Sequence, residues 1–297
     1  MERIALVTGA TSGIGRVTAR ALAQEGYRVV LLARDARKAE ETAAETRRAA
    51  GHDRVETLVC DLGSQAQIRR AAEEFKRRHG RLHVLVNNAG AIFMKQGVSA
   101  DGIEQTFAVD HLAYFLLTNL LVDVLKASAP ARVVNVASAA SMLGRLDFDD
   151  LELKRRYKGA RAYANAKLAN ILFSNELARR LAGTGVTSNA LHPGGVASRF
   201  GHNDNGIFTL AVRLARPFLI GEEKGAETSI YLATSPEVES VTGKYFVKRR
   251  PRRPPRSALD EAVARRLWEV SAKMTGLQLA LTEVKAGAPD TRRDAST

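Results

Sequence analysis

The chain has 297 residues, 45% hydrophobic and 26% charged, which is too apolar for a disordered segment and long enough to bury one large core. Its 45 Lys plus Arg against 32 Asp plus Glu leave a net charge of +13, so nucleic acid, an anionic surface and a phosphorylated ligand all stand as partner classes until that charge is placed. One cysteine, Cys60, excludes an internal disulfide framework and a cysteine-cluster zinc site, and favours a reducing, cytoplasmic compartment.

The first apolar run, 4–7, has about four residues where a membrane span needs roughly 20, and the runs at 29–33 and 112–117 are also too short, so no transmembrane segment is expected. Short β-branched stretches at 4–7, 28–32, 55–59, 83–86, 132–136 and 186–191 alternate with helix-like segments near 14–25, 36–50, 64–79, 101–126 and 161–182. That alternation predicts an α/β fold, a doubly wound parallel β-sheet with helices on both faces. In the third helix Ile68, Ala71, Ala72 and Phe75 keep helical spacing, and Asp61 and Ser64 stand where caps belong. Two stretches, 139–160 and 197–230, exceed ordinary connections, and such excursions beyond strand ends usually shape a substrate pocket. A strand near 244–247 precedes a Pro-rich basic connection and a helix from about Ser257 through Trp268. Residues 1–277 read as a single domain and 278–297 as a flexible C-terminal tail.

The first strand runs into Thr8-Gly9-Ala10-Thr11-Ser12-Gly13-Ile14-Gly15. Glycines at 9, 13 and 15 allow a tight turn, close approach of backbone to phosphate and helix-on-strand packing, and the following helix aims its N-terminus at the phosphate. Turn glycines alone are a weak signal; their place between strand and helix strengthens it. At the end of the second strand an acidic residue would bind an adenosine ribose and select NAD. Here Ala33 stands at that position and Arg34 follows, which suits the 2′-phosphate of NADP(H), while Asp35 serves as a helix cap. Tyr163 and Lys167, at i and i+4, share one helix face, so an ammonium lies near a phenol and lowers its proton affinity. Ser138, just past a strand, is placed to hydrogen-bond a substrate oxygen.

Together these residues resemble the short-chain dehydrogenase/reductase family over residues 4–277. The likeness includes Asn87-Asn88-Ala89-Gly90, the run from Arg132 to Ser138, Tyr163 to Lys167, and Pro193-Gly194-Gly195-Val196. The spacing from Ser138 to Tyr163, with Asp147-Phe148-Asp149-Asp150-Leu151, Lys167-Leu168-Ala169-Asn170 and Leu191-His192-Pro193-Gly194, is similar to the retinol-dehydrogenase-like branch, which also includes the WW-domain-containing oxidoreductase. The resemblance implies a Rossmann-type fold and an oxidoreductase acting on CH–OH or C=O groups with NADP(H). Gly9, Ser12, Gly13, Ile14 and Gly15 would surround the phosphates, Asp61 and Leu62 the adenine, and Asn87, Ala89 and Gly90 the nearby ribose. Lys167 would hold the nicotinamide ribose, Val196 with Ser198 would flank the carboxamide, and Pro193 and Gly194 would also bind the cofactor. Ser198 stands where the family usually has threonine. A larger departure is Val109-Asp110-His111-Leu112, since the family carries asparagine at 110 as its fourth catalytic position.

The resemblance implies a small, apolar alcohol or carbonyl substrate and a possible homo-oligomer. A cofactor-binding regulatory protein that keeps the fold with weak catalysis is the alternative, on Asp110 alone. The histidines show no metal spacing, so no metal is expected. Phe93, Met94, Phe200, Ile207, Phe208 and Leu210 suit a pocket lining or ordinary core equally. Residues 244–256 contain seven Lys or Arg and no acid. More than half of the excess charge therefore lies in one segment, read as a solvated rim, and nucleic acid is not expected as the main partner.

Overall fold

Strands β1 (Ile4–Thr8), β2 (Arg28–Ala33), β4 (Val84–Asn87) and β5 (Ala131–Val136) are buried almost end to end, as a sheet covered on both faces requires. With β3 (Val55–Val59), β6 (Val186–His192), β7 (Tyr245–Val247) and β8 (Arg250–Arg252) they form one sheet in the order β3-β2-β1-β4-β5-β6-β7-β8. All neighbours pair in parallel except β7 with β8. The molecule is a computed structural model in which residues 2–195 and 220–278 are described.

Helices α1 (Gly13–Gln24), α2 (Ala36–Ala50) and α8 (Glu222–Thr234) close one face over Val7, Val29, Leu31, Val86 and Val134. The other face is closed by α3 (Gln65–Arg78), α5 (Ala113–Leu120), α7 (Gly159–Arg180) and α9 (Glu261–Thr275). Ser64 caps α3 by accepting the Gln67 N–H, as expected, whereas Asp61 instead accepts the Gly63 N–H in a turn.

Three details differ from the sequence expectation. The single helix expected over 101–126 is broken into α4 (Gln105–Phe107), a π-helical turn at Ala108–Leu112, α5 and α6 (Val122–Lys126). The helix expected from Ser257 begins at Glu261, where Asp260 caps it, after a 3-10 turn at Arg256–Leu259. The basic segment is a hairpin rather than a plain connection: Lys248 and Arg249 adopt φ of 51° and 61°, the left-handed pair that a tight two-residue turn demands, and Pro251 lies on the outermost strand. Its cationic side chains are exposed, in keeping with the expected rim. Of the expected insertions, 139–160 contains a 3-10 turn, Ala139–Leu143, while 196–219 and 279–297 lie outside the described residues.

Because β1 to β7 run in one direction, Gly9, Arg34, Asp61, Ala89, Ser138 and Gly194 all follow strand ends on the same edge of the sheet. The C-terminal helix is fastened behind this edge by Trp268. Its ring lies 4.9 Å from Phe115 and 5.8 Å from Phe173, with the Arg180 guanidinium 4.5 Å away. Replacing Trp268 by alanine is expected to lower the unfolding free energy by about 3–5 kcal/mol in urea titration, and a loss below about 1 kcal/mol would show that the helix is held elsewhere.

Candidate active site

At the end of β1, Gly9 and Gly13 adopt φ of 64° and 56°, which residues with a side chain reach only under strain. A Cβ on Gly15 would collide with the Gly9 carbonyl and the Asn88 amide. The Thr8 hydroxyl accepts the N–H groups of Asn88 and Ala89 at 2.9 and 3.0 Å, and Asn88 Nδ2 donates back to the Thr8 carbonyl at 2.9 Å. The glycine turn is thereby locked to the end of β4. Ser12 stands at the N-cap of α1 but its side chain caps nothing, and the first turn holds no acid. The helix end therefore directs free amides and positive dipole outward, the arrangement that receives an anion.

Arg34 is exposed just beyond β2 and makes no ion pair among the described residues. Asp35 caps α2, as expected, accepting the Lys38 N–H at 3.0 Å. Leu62 is buried in the core beside the half-buried Asp61.

The Ser138 hydroxyl hydrogen-bonds the Tyr163 phenol and also accepts the Ala140 N–H at 3.2 Å. Lys167 Nζ lies 5.4 Å from the Tyr163 ring centre and 2.9 Å from Asp110 Oδ2, with both charged side chains withdrawn from solvent. The other Asp110 oxygen accepts the Ala91 N–H at 2.8 Å, and the Asp110 carbonyl accepts from Asn170 Nδ2 at 2.9 Å. Ser138, Tyr163, Lys167 and Asp110 thus form one connected group at the carboxyl edge, beside the glycine turn.

A short chain dehydrogenase family model matches residues 3–206. The chain belongs to the short-chain dehydrogenase family. It is 42% identical over 276 residues to retinol dehydrogenase 12 of Mus musculus, covering 93% of this chain and 87% of that protein, and falls in the retinol-dehydrogenase-like branch. A crystal structure of a Mycobacterium paratuberculosis protein superposes with a TM-score of 0.74 at 33% identity, covering 92% of this chain and 93% of that one. The Pseudomonas aeruginosa RhlG/NADP complex superposes at 0.66 and 30% identity, covering 82% and 93%.

Within this short-chain dehydrogenase, two expectations need correction. Asn87 does not offer its side chain to a ribose: it is fully buried, and its amide donates to Thr118 Oγ1 and Asn135 Oδ1, both at 2.9 Å, within a polar network that continues to Ser174 and Ser188. Nor is Tyr163 acidified by Lys167. Burial pushes the phenol above its ordinary value, the Asp110 charge adds to this, and only the Ser138 hydrogen bond opposes it. Pro193 and Gly194 follow β6, Gly194 with φ of 100°, whereas Val196 and Ser198 lie outside the described residues.

Several supporting residues were given no role by the sequence. Asn170 tethers Asp110, and Tyr114 donates to the Ala89 carbonyl at 2.8 Å. Glu104 starts α4 by accepting the Thr106 and Phe107 N–H groups at 2.7 Å, and its burial raises its pKa. The insertion before Tyr163 is pinned by Tyr157, which donates to the Phe93 carbonyl, and by Asn165, which accepts the Arg145 N–H. Burial pushes the Cys60 thiol up to about 12, leaving no thiolate for catalysis. No described cluster of His, Cys, Asp and Glu is arranged to hold a metal ion.

His111 is buried against Asn170 and Ser271, and desolvation depresses its pKa to about 4. A histidine with a folded-state value below its unfolded one of about 6.5 stabilises the fold fully above that value and loses its contribution as the pH falls toward 4. His111→Asn is expected to remove about 3 kcal/mol of acid-dependent stability between pH 7 and 4, read as the difference between wild-type and variant urea titrations. Parallel pH profiles of the two proteins would contradict a neutral buried imidazole.

Proposed function

We propose that the protein transfers hydride between NADP(H), used in preference to NAD(H), and an alcohol or carbonyl carbon of a small apolar substrate. The observation that carries this reading is the convergence of Ser138, Tyr163 and Lys167 beside the glycine turn. The residues present fit a dinucleotide: the close backbone contacts at Gly9 and Gly15 leave no room for side chains, and the open N-terminus of α1 faces outward without acid. Gly9, Ser12, Gly13, Ile14 and Gly15 would hold the pyrophosphate, and Arg34 the 2′-phosphate through paired charged hydrogen bonds. Asp61 and Leu62 would bound the adenine, Ala89 and Gly90 its ribose, and Lys167 the nicotinamide ribose. Pro193 and Gly194, with Val196 and Ser198, would flank the carboxamide.

The nicotinamide supplies the hydride when bound. The chain's own part is proton transfer and orientation: Tyr163 Oη gives its proton to the substrate oxygen in reduction and takes one in oxidation, while the Ser138 hydroxyl steadies the same oxygen as charge develops on it. Similarity to retinol dehydrogenase 12 supports an apolar alcohol or aldehyde as substrate, and the RhlG/NADP complex supports the cofactor preference. The lone buried thiol suits a reducing compartment such as the cytoplasm, and no helix among the described residues is long and apolar enough to cross a membrane.

The Asp110–Lys167 pair favours a second reading, a cofactor-binding regulatory protein with little turnover. NADPH oxidation with a panel of ketones, aldehydes and quinones separates the two. Tyr163→Phe is expected to abolish that turnover while NADPH still binds, and retained turnover would sink the mechanism. Arg34→Ala should weaken NADPH binding at least about tenfold, or about 1.4 kcal/mol, with NADH changed by less than about twofold. Equal losses for the two cofactors, or a wild-type preference for NADH, would refute the role given to Arg34.

A further inference from the structure

The Lys167 ammonium and the Asp110 carboxylate are 2.9 Å apart, with side chains 3% and 0% exposed. Gly90 lies directly over them, since a Cβ there would stand 2.9 Å from Lys167 Nζ and 3.0 Å from Asp110 Oδ2. The Ala91 N–H holds the second carboxylate oxygen and Asn170 holds the backbone carbonyl of Asp110, so the carboxylate is bound at both oxygens on a tethered backbone. Whether the proton sits on nitrogen or on oxygen, the pair as a whole carries no net charge. Its effect on Tyr163 is then that of a dipole, weaker with distance than the field of an ammonium alone. The titratable groups facing the pair among the described residues are Tyr163 on α7, Tyr114 on α5, whose ring centre is 5.6 Å from Lys167 Nζ, and His111 in the π-helical turn. None of them supplies a second carboxylate or a second permanent cation.

We propose that Asp110 is a positioning residue that cancels the charge of Lys167 and keeps Tyr163 protonated, as a proton donor, through neutral and moderately alkaline pH. The inference rests on Tyr163 being the proton donor of the reaction proposed above. In reduction, a hydride carrying two electrons passes from the reduced nicotinamide to the carbonyl carbon, the C=O π pair moves to oxygen, and that oxygen takes the Tyr163 proton. The nicotinamide leaves oxidised, and the tyrosinate regains a proton from water. Oxidation runs the same steps backwards and needs tyrosinate as base. Asp110 leaves the overall equilibrium unchanged and sets the pH range in which each direction finds Tyr163 correctly protonated. The upward displacement of the phenol by burial and by the Asp110 charge agrees with this.

The test is a pH titration of the cofactor-free protein, with the near-ultraviolet tyrosinate signal of Tyr163 isolated by subtracting the Tyr163→Phe variant. The wild-type midpoint is expected above the ordinary phenol value of about 10; a midpoint at or below that value overturns the proposal without recourse to any other variant. Asp110→Asn removes the charge and keeps the shape. Its Tyr163 midpoint is expected to fall by about one pH unit or more, a tenfold rise in tyrosinate at a given pH. The alkaline limb of the carbonyl-reduction rate should move down with it. An unchanged midpoint in the folded variant overturns the proposal. The titration needs neither cofactor nor substrate, so a protein without any turnover would refute the oxidoreductase reading and still leave this inference to its own result.

Discussion

A cation buried beside Tyr163 needs a counter-charge, and much of the surrounding structure is arranged to supply one. Isolating an ammonium from water costs several kcal/mol, and removing one partner of a buried pair typically costs about 3–5 kcal/mol. Lys167 meets that demand with Asp110, 2.9 Å away. Other features follow from the pair. The widened turn at Ala108–Leu112 presents the carboxylate to α7, a side chain at residue 90 would press on both members of the pair, and the Ala91 amide and Asn170 hold the aspartate in place. The same geometry settles the electrostatics at Tyr163, since a paired lysine can still orient a ligand hydroxyl but no longer acts as a lone positive charge.

The second constraint is the direction of the strands. Parallel pairing from β3 to β6 brings six separated segments to one edge, so residues as far apart in sequence as Gly9 and Gly194 follow strand ends on the same side. Thr8 and Asn88 turn this topological alignment into a rigid one by bonding the ends of β1 and β4 together. The Asn87–Asn135–Ser174–Ser188 network does comparable work inside the sheet, joining β4, β5, α7 and β6 through buried hydrogen bonds, with only Asn87 Oδ1 of its side-chain atoms left without a partner among the described residues. The glycine turn and the Ser138–Tyr163–Lys167 group therefore rest on neighbouring parts of one stiff frame.

The parallel sheet and the glycine turn were legible in the sequence because they depend on local patterning: β-branched runs, helical periodicity, and glycines at a strand-to-helix junction. Ser138, Tyr163 and Lys167 were legible from spacing and position. Orientation was not. Whether Asn87 faces the cleft or the core depends on which way a pleat points after a strand of four residues, and no periodicity distinguishes the two. The partner of Lys167 was visible as an unusual residue at 110, but its effect depends on a distance that only folding sets. The π-helical turn has no compositional mark, and β8 was hidden because arginine and proline describe a connection better than a strand. Its pairing comes from the left-handed turn at Lys248 and Arg249 and from the free edge of β7.

Short-chain dehydrogenase chemistry at this edge predicts a transfer that can be followed atom by atom. NADPH carrying deuterium at the transferring position of nicotinamide C4 should be incubated with a ketone or aldehyde substrate and the alcohol product examined by mass spectrometry and NMR. One deuterium bound to the carbinol carbon, with the hydroxyl proton taken from solvent, is the result the account predicts. An alcohol product whose carbinol hydrogen comes from water would contradict hydride transfer at this site.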